Sequence, residues 1–335
     1  MKTVADLGEF NLLAKLHKIL SPSHPEILVG LGDDAAVVSP PRAPIVMTTD
    51  AMVEGVHFKR QWASPHDIAH KALASTLSDL AGKCAQPAYA LITLGLPGET
   101  EIEWIYSFYH RLAELQQEWA VSIVGGDTVR SPQFWISIAA YGVQTTKHPL
   151  RINSATEGDW IIVSGALGDA AAGLDSLLYP GKRTVDPATV QYLQSRFHCP
   201  TPRLNEAIKI ASITVPNTMT DISDGLARDL RKICQASGVG AFLHAEQFPC
   251  SEALQHYAGG LAPEYAWRGG EEYELLLTLP PEQGSELIKQ WDNVNCPLHS
   301  IGEITASTDI LIDGVKQSLE GFDHFKTPPS HTNLS

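Results

Sequence analysis

The stretch Met47–Phe58, MTTDAMVEGVHF, puts two hydroxyls and a carboxylate at the close of an apolar run. Residues Ala43 to Met47 read as a strand that ends at the two threonines and Asp50. Such an end cannot be buried without partners for its polar groups. It has to open on solvent or on a cation. The pattern recurs along the chain. Acids stand at element edges in GDDAAVV (Asp33, Asp34), LSDLAG (Asp79), GGDT (Asp127) and DISDGL (Asp221, Asp224), mostly beside Gly, Ser or Thr. Gly lets backbone approach a ligand closely, and Ser and Thr add neutral oxygens. Taken singly, each acid has an ordinary explanation. GDD and GGD are turn chemistry, and the Asp of SDG is an N-cap worth about 0.5–2 kcal/mol to its helix. His57 alone reads as a surface or packing histidine. The number of such acids in one acidic chain shifts the balance, because clustered carboxylates repel one another unless cations join them.

The balance of charge supports this. The chain carries 24 basic and 38 acidic residues, a formal net charge of −14. A non-specific nucleic-acid binder would present a basic stripe instead, so no nucleic-acid partner is expected. An anionic substrate would need cations to mediate. At 335 residues, 44% of them hydrophobic, the chain can bury a sizeable core in one large domain or two ordinary ones. Its five cysteines (Cys84, Cys199, Cys234, Cys250, Cys296) are widely spaced and form no CxxC pair. That suits a reduced compartment rather than a disulfide framework. The N-terminus lacks an apolar signal core, and no apolar run reaches the ~18 residues that cross a bilayer. A soluble cytoplasmic protein without a membrane partner is the expectation.

Strands and helices mix throughout. GEFNLLAKLHKIL has apolar residues at helical spacing (Phe10, Leu13, Leu16, Leu20). AAVVS and PIVMTT read as strands. In SPHDIAHKALASTLSDLAGKC, Ser64 reads as an N-cap, Pro65 as the first helical residue, and Asp67 as a capping-box partner. YALITLGL leads to a helix around Glu101–Glu118; VSIV ends in GGDT, and FWISIAAYGV closes the half. Periodicity lapses around Thr145–Arg151, which divides the chain into 1–148 and 149–335. The second half restarts with the strand DWIIVSG, the helix-like GDAAAGLDSLL and a helix near Pro202–Ile213. NTMTDISDGLARDLRKICQASG reads as strand, tight turn, helix; GGEEYELLLTL is a turn into a strand, and Asp313–Gly314 signals a hairpin. The fold class is therefore α/β or α+β.

The chemistry narrows further. Hard oxygen ligands suit Mg²⁺ or Ca²⁺, not zinc. The histidines form no HExxH, and there is neither a GxxxxGK[ST] loop nor a GxGxxG. Nucleotide phosphates would then be held by acids through metal ions, because Mg²⁺ is usually completed by substrate phosphates.

In this order, GEF, GDDAAVV, TTDAMVEGVHF, KALASTLSDLAG, GGDT, GDWIIVSGALGDAAAGL, DISDGLARDL, GGEEYELL and GFDHF resemble the thiamine-monophosphate kinase family. The resemblance spans about Glu9 to Phe325. Two places depart from the family pattern. SDLAGKCAQP puts Lys83 and Cys84 where small or apolar residues stand, and Glu272 replaces an Asp in GGEEYEL. The family belongs with the aminoimidazole-ribonucleotide-synthetase-like ATP-using enzymes. The resemblance implies a two-domain fold whose N-terminal sheets pair across a homodimer. It implies an N-terminal metal/ATP-binding and dimerisation domain and a C-terminal α/β domain. It also implies phosphorylation of thiamine monophosphate to thiamine diphosphate by ATP, an ATP:thiamine-phosphate phosphotransferase of thiamine diphosphate biosynthesis. Motif by motif, Asp34, Thr48, Thr49, Asp50, Asp79, Asp127, Asp221 and Asp224 resemble the set that binds several Mg²⁺ ions. Gly126, Asp127, Arg151 and Ser223 resemble ATP contacts, and His57, Glu271 and Phe322 resemble thiamine-phosphate contacts. No general base is expected, since the acceptor phosphate is itself the nucleophile. Other ATP-using members of the superfamily compete with this reading. A selenophosphate-synthetase-like chain carries an early reactive Cys, and a hydrogenase-maturation-like chain ends in a functional one; here the first is Cys84 and the tail is PPSHTNLS. A non-catalytic divalent-cation or nucleotide-binding protein is the alternative from another class.

Overall fold

The computed structural model describes residues 2–21 and 25–317. They fold as two compact units. The first comprises the described residues up to Pro149 together with His198–Ser212, and the second Leu150–Phe197 and the described residues from Ile213 on.

The first unit opens with the helices α1 (Val4–Leu7) and α2 (Glu9–Leu20) and the short strands β1 (Ile27–Val29) and β2 (Val37–Val38). It continues through β3 (Ile45–Val53), α3 (Pro65–Ala81), β4 (Ala85–Leu96), α4 (Ile102–Glu118), β5 (Ser122–Arg130) and β6 (Trp135–Gln144). Its sheet has four strands in the order β3-β6-β4-β5. β3–β6 and β6–β4 are antiparallel, and β4–β5 is parallel across the α4 crossover. α3 starts where a capping box dictates: the Ser64 hydroxyl accepts the Asp67 N–H, and the Asp67 carboxylate accepts the Ser64 N–H. Most of α3 is buried, polar residues included, as befits a helix packed on several sides. It lies against β3, β4, β6 and α4.

Two strands run further than expected. β3 does not stop at the threonines but continues through Asp50 to Val53, and β5 continues through GGDT to Arg130. Both are the outer strands of the sheet, where polar side chains meet water without leaving the ladder. The apolar stripe of α2 also differs. Leu12, Leu16 and Leu20 are buried, while Phe10 points out and is 87% exposed.

Residues 198–212 join the first unit through side chains of α3 and the turn after it. His70 Nε2 meets the Pro200 carbonyl at 2.7 Å, Cys199 Sγ donates to Asp67 Oδ1, and Cys84 Sγ donates to the Ala207 carbonyl.

The second unit contains β7 (Trp160–Ser164), α5 (Asp169–Leu178), α6 (Pro187–His198), then, after α7 (Leu204–Ile213), β8 (Thr218–Ile222) and α8 (Leu226–Ser237). β9 (Gly240–Leu243), α9 (Glu252–Ala258), α10 (Ala262–Arg268), β10 (Glu274–Leu279) and α11 (Pro281–Gln290) follow, ending with β11 (Leu298–Thr305), β12 (Ile310–Ile312) and β13 (Val315–Lys316). Its seven strands run β13-β12-β9-β11-β7-β10-β8. Their apolar side chains (Ile161, Val163, Leu276, Ile301) meet Leu226, Leu230 and Ile233 of α8 in one core. The α8 spacing of i, i+4, i+7 puts those three on one stripe. Asp313 and Gly314 both adopt positive φ (49° and 80°) between β12 and β13, the geometry a tight hairpin requires.

Candidate active site

In the first unit the site residues are sorted by the pleat of β3. Alternate residues take opposite faces. Thr48 and Asp50 lie on the half-buried face that packs on α3, and Thr49 lies on the exposed one. The Thr48 hydroxyl donates to Asp79 Oδ2 on the last turn of α3. Folding therefore joins a hydroxyl and a carboxylate 31 residues apart, with Asp50 two positions along the same face.

Asp34 is exposed between β1 and β2, and its N–H donates to Asp33 Oδ1 at 2.8 Å. Asp127 is exposed on β5, its Oδ1 accepting the Thr128 N–H at 2.8 Å. It borders a cleft with His17, Ile92, Tyr109 and Thr128. Gly126 beside it has a reason of its own to be glycine: at φ 155° a Cβ would stand 1.8 Å from the Ile92 carbonyl oxygen. His57 closes the turn after β3. Its Nδ1 accepts the Val53 N–H at 3.1 Å, which places the ring proton on Nε2.

In the second unit Asp221 is buried on β8, paired in register with Leu275 of β10. The chain then turns through Ser223, Asp224 and Gly225 into α8. A Cβ at Gly225 would stand 2.9 Å from the carbonyls of Arg268 and Gly269, so this turn lies directly against the Gly269–Tyr273 loop. Backbone bonds lock the two. The Glu271 N–H donates to the Ser223 carbonyl at 2.7 Å, and the Tyr273 N–H to that of Ile222 at 2.8 Å. Glu271 (φ 69°) and Tyr273 (φ 54°) both sit in the left-handed region, at a cost of about 1–3 kcal/mol each for non-glycine residues. Ser223 and Glu271 are thus brought together. Asp224 accepts from Lys232 Nζ at 2.8 Å and lies 3.6 Å from Arg228 Nε. Arg151 is exposed at the start of this unit. Phe322 lies outside the described residues.

The residues of the first unit offer hard oxygens, the donor chemistry that Mg²⁺ takes. Asp224 differs, because it already has ammonium and guanidinium partners that a metal would have to replace. Among the described residues, no three of His, Cys, Asp and Glu form a group arranged to hold a metal ion.

Comparison with known proteins decides the family. Residues 32–144 match the N-terminal domain of AIR synthase related proteins, and residues 156–313 match the C-terminal domain. The chain is 35% identical to the thiamine-monophosphate kinase of Escherichia coli K12, over 96% of this chain and 99% of that one. It is 37% identical to that of Haemophilus influenzae, over 96% and 98%. The chain belongs to the thiamine-monophosphate kinase family. The thiamine-monophosphate kinase structure from Stenotrophomonas maltophilia superposes with a TM-score of 0.81 at 34% identity, covering 92% of this chain and 97% of its own. AaThiL complexed with AMPPCP and TMP superposes at 0.76 with 32% identity, covering 97% and 99%. The hydrogenase maturation protein HypE, at 17% identity and a TM-score of 0.75, shares the fold.

Three further acids of the second unit lie within a few residues of Asp224 or Glu271, and sequence reasoning gave them no role. Asp229, 2% exposed on α8, takes the N–H groups of Ser223 and Asp224 on Oδ2, at 3.0 and 3.1 Å, and Lys232 on Oδ1. Burial alone would lower the Lys232 pKa, but the bonds to Asp224 and Asp229 outweigh it and hold the ammonium charged. Glu272, beside Glu271, accepts the Ala170 and Ala171 N–H groups at the start of α5. Burial, reinforced by Asp169, pushes its carboxyl up to about 8. Glu274 is fully buried, held by the Ser164 hydroxyl at 2.7 Å and Arg196 at 2.9 Å. The only signal in the sequence was an acid in the first turn of a helix for Asp229, and the Asp-to-Glu departure for Glu272.

Proposed function

We propose that this chain transfers the γ-phosphate of ATP to thiamine monophosphate, giving ADP and thiamine diphosphate in one direct in-line step. The observation that carries the reading is the near full-length match to a protein of this family that binds AMPPCP and TMP together. The residues suit the chemistry. The acceptor is a phosphate monoester with a second pKa of about 6, so its oxygen attacks without a general base. The obstacle is the repulsion between two anions. Asp34, Thr48, Asp50, Asp79, Asp127 and Asp221 would hold several Mg²⁺ ions, with Thr49, whose side chain takes the other face of β3, limited to its main-chain oxygen and Asp224 joining on release from Lys232. Bound Mg²⁺ neutralises and aligns the phosphates. Arg151 adds a fixed positive charge toward ATP, and Ser223 and Gly126 line its phosphates. His57, oriented by the Val53 N–H, and Glu271, held beside Ser223, contact the thiamine phosphate.

A second copy of the chain is proposed to cover the exposed face of the four-stranded sheet, where Met47 is 69% and Ile45 51% exposed. The cytoplasm is the proposed compartment; among the described residues no helix is long and apolar enough to cross a membrane. An ADP-release assay tests the activity. Thiamine monophosphate is expected to drive Mg²⁺-dependent release and thiamine is not. Equal rates with both, or none with either, contradict the reading.

A further inference from the structure

The turn 223–225 is fixed from a direction that helix capping does not explain. Gly225 precedes α8 and supplies no side-chain cap; its carbonyl takes the Arg228 and Asp229 N–H groups, both at 3.0 Å. Asp229 does not serve the N–H groups of its own helix. Its Oδ2 reaches back to two successive amides outside α8, those of Ser223 and Asp224. Its Oδ1 takes Lys232, whose ammonium also holds Asp224 Oδ2 at 2.8 Å. Ser223 is therefore pinned at both ends, its N–H on Asp229 and its carbonyl on the Glu271 N–H. Asp224 is pinned through its amide by Asp229 and through its carboxylate by Lys232.

We propose that Asp229 is a positioning residue for nucleotide binding: its buried carboxylate sets the backbone of Ser223 and Asp224 in the arrangement that meets ATP, and Lys232 orients that carboxylate. The inference rests on the reading of Ser223 as an ATP contact. A neutral amide cannot take over the role. In Asp229→Asn the side chain offers one oxygen and one NH₂. With the oxygen toward the turn, the NH₂ faces the Lys232 ammonium; flipped, it faces two N–H donors. In the first case the Lys232 ammonium loses one of its two carboxylate partners and with it the orientation it imposes; in the second the Ser223 and Asp224 amides lose their acceptor.

The test compares wild type, Asp229→Asn and Lys232→Met by equilibrium binding of Mg²⁺·AMPPCP and by NMR amide exchange. In Asp229→Asn the affinity is expected to fall about tenfold, the equivalent of about 1.4 kcal/mol. The Ser223 and Asp224 amides are expected to exchange about tenfold faster, while those of Leu230–Cys234 keep their protection. The KM for thiamine monophosphate is expected to change by less than about threefold, because a local shift of this turn weakens one ligand's binding. Faster exchange with unchanged affinity would reduce Asp229 to a structural residue and overturn the proposal. Should Asp229→Asn not fold, Lys232→Met decides: Lys232 is 44% exposed, and about threefold weaker AMPPCP binding supports the proposal while unchanged binding overturns it. A wild type that binds AMPPCP without phosphorylating thiamine monophosphate sinks the proposed activity and leaves this test intact. A wild type that binds no AMPPCP sinks both.

Discussion

Asp34 and Asp127 of the first unit are exposed, whereas Asp229, Glu272 and Glu274 of the second are almost wholly withdrawn from water. The residue type is nearly the same and the consequence is opposite. An exposed carboxylate keeps its hydration and can exchange it for a cation. A buried one has to be satisfied from within, and here the donors are Lys232, Arg196 and helix N–H groups. Those donors stand on α8, on α6 and at the start of α5. Acids of the first kind are free to exchange water for a ligand; acids of the second kind tie parts of the second unit together. Substitution should separate the two, through activity in one case and stability in the other.

The largest effect is expected from Asp127→Asn. Turnover should fall about 10²–10³-fold, the scale of losing one electrostatic contact to a transition state. Stability should stay within about 0.5 kcal/mol, as for other surface substitutions. Asp50→Asn should lose turnover to a similar degree. Steady-state kinetics beside urea unfolding reads both quantities, and retained turnover in either variant removes that residue from the metal set.

Arg196→Met should behave in the opposite way. It leaves the fully buried Glu274, and Asp169 beside it, without their guanidinium. Breaking a buried pair from one side costs about 3–5 kcal/mol, which would appear as a large drop in the urea midpoint. An unchanged midpoint would erase the distinction between the two kinds of acid.

Glu272→Gln sharpens the comparison through pH. The Glu272 carboxyl titrates near its ordinary 4.5 when unfolded and near 8 when folded. Between these values the folded chain keeps a proton that the unfolded chain has released. Its contribution to stability is therefore complete below pH 4.5 and is lost as pH rises through about 8. Gln does not titrate, so the variant should lose less stability than wild type between those limits. Parallel curves of urea midpoint against pH would contradict a buried, protonated Glu272.

The elements most legible in the sequence were those written in local chemistry. Ser64, Pro65 and Asp67 announced the start of α3, and Asp313–Gly314 announced a hairpin whose residues both adopt positive φ. The course of β3 through Asp50 was less legible, because an outer strand tolerates polar residues that a turn also favours. The docking of residues 198–212 on α3 was hidden for another reason: the His70–Pro200 bond spans 130 residues, and no local pattern encodes it. At the candidate site, the GGEEYELL and DISDGLARDL motifs pointed to Glu271 and Ser223, which folding does bring together. Nothing in those motifs singles out Asp229. Only the fold turns it back toward Ser223.

The central claim is that the acids of the proposed metal set, through divalent ions, let two phosphates meet so that transfer is direct. Following the γ-phosphate of labelled ATP in a single turnover tests it. The account predicts Mg²⁺-dependent passage of the label into thiamine diphosphate with none retained on the protein. Label found covalently on the chain, or transferred equally well after Mg²⁺ is chelated, would contradict it.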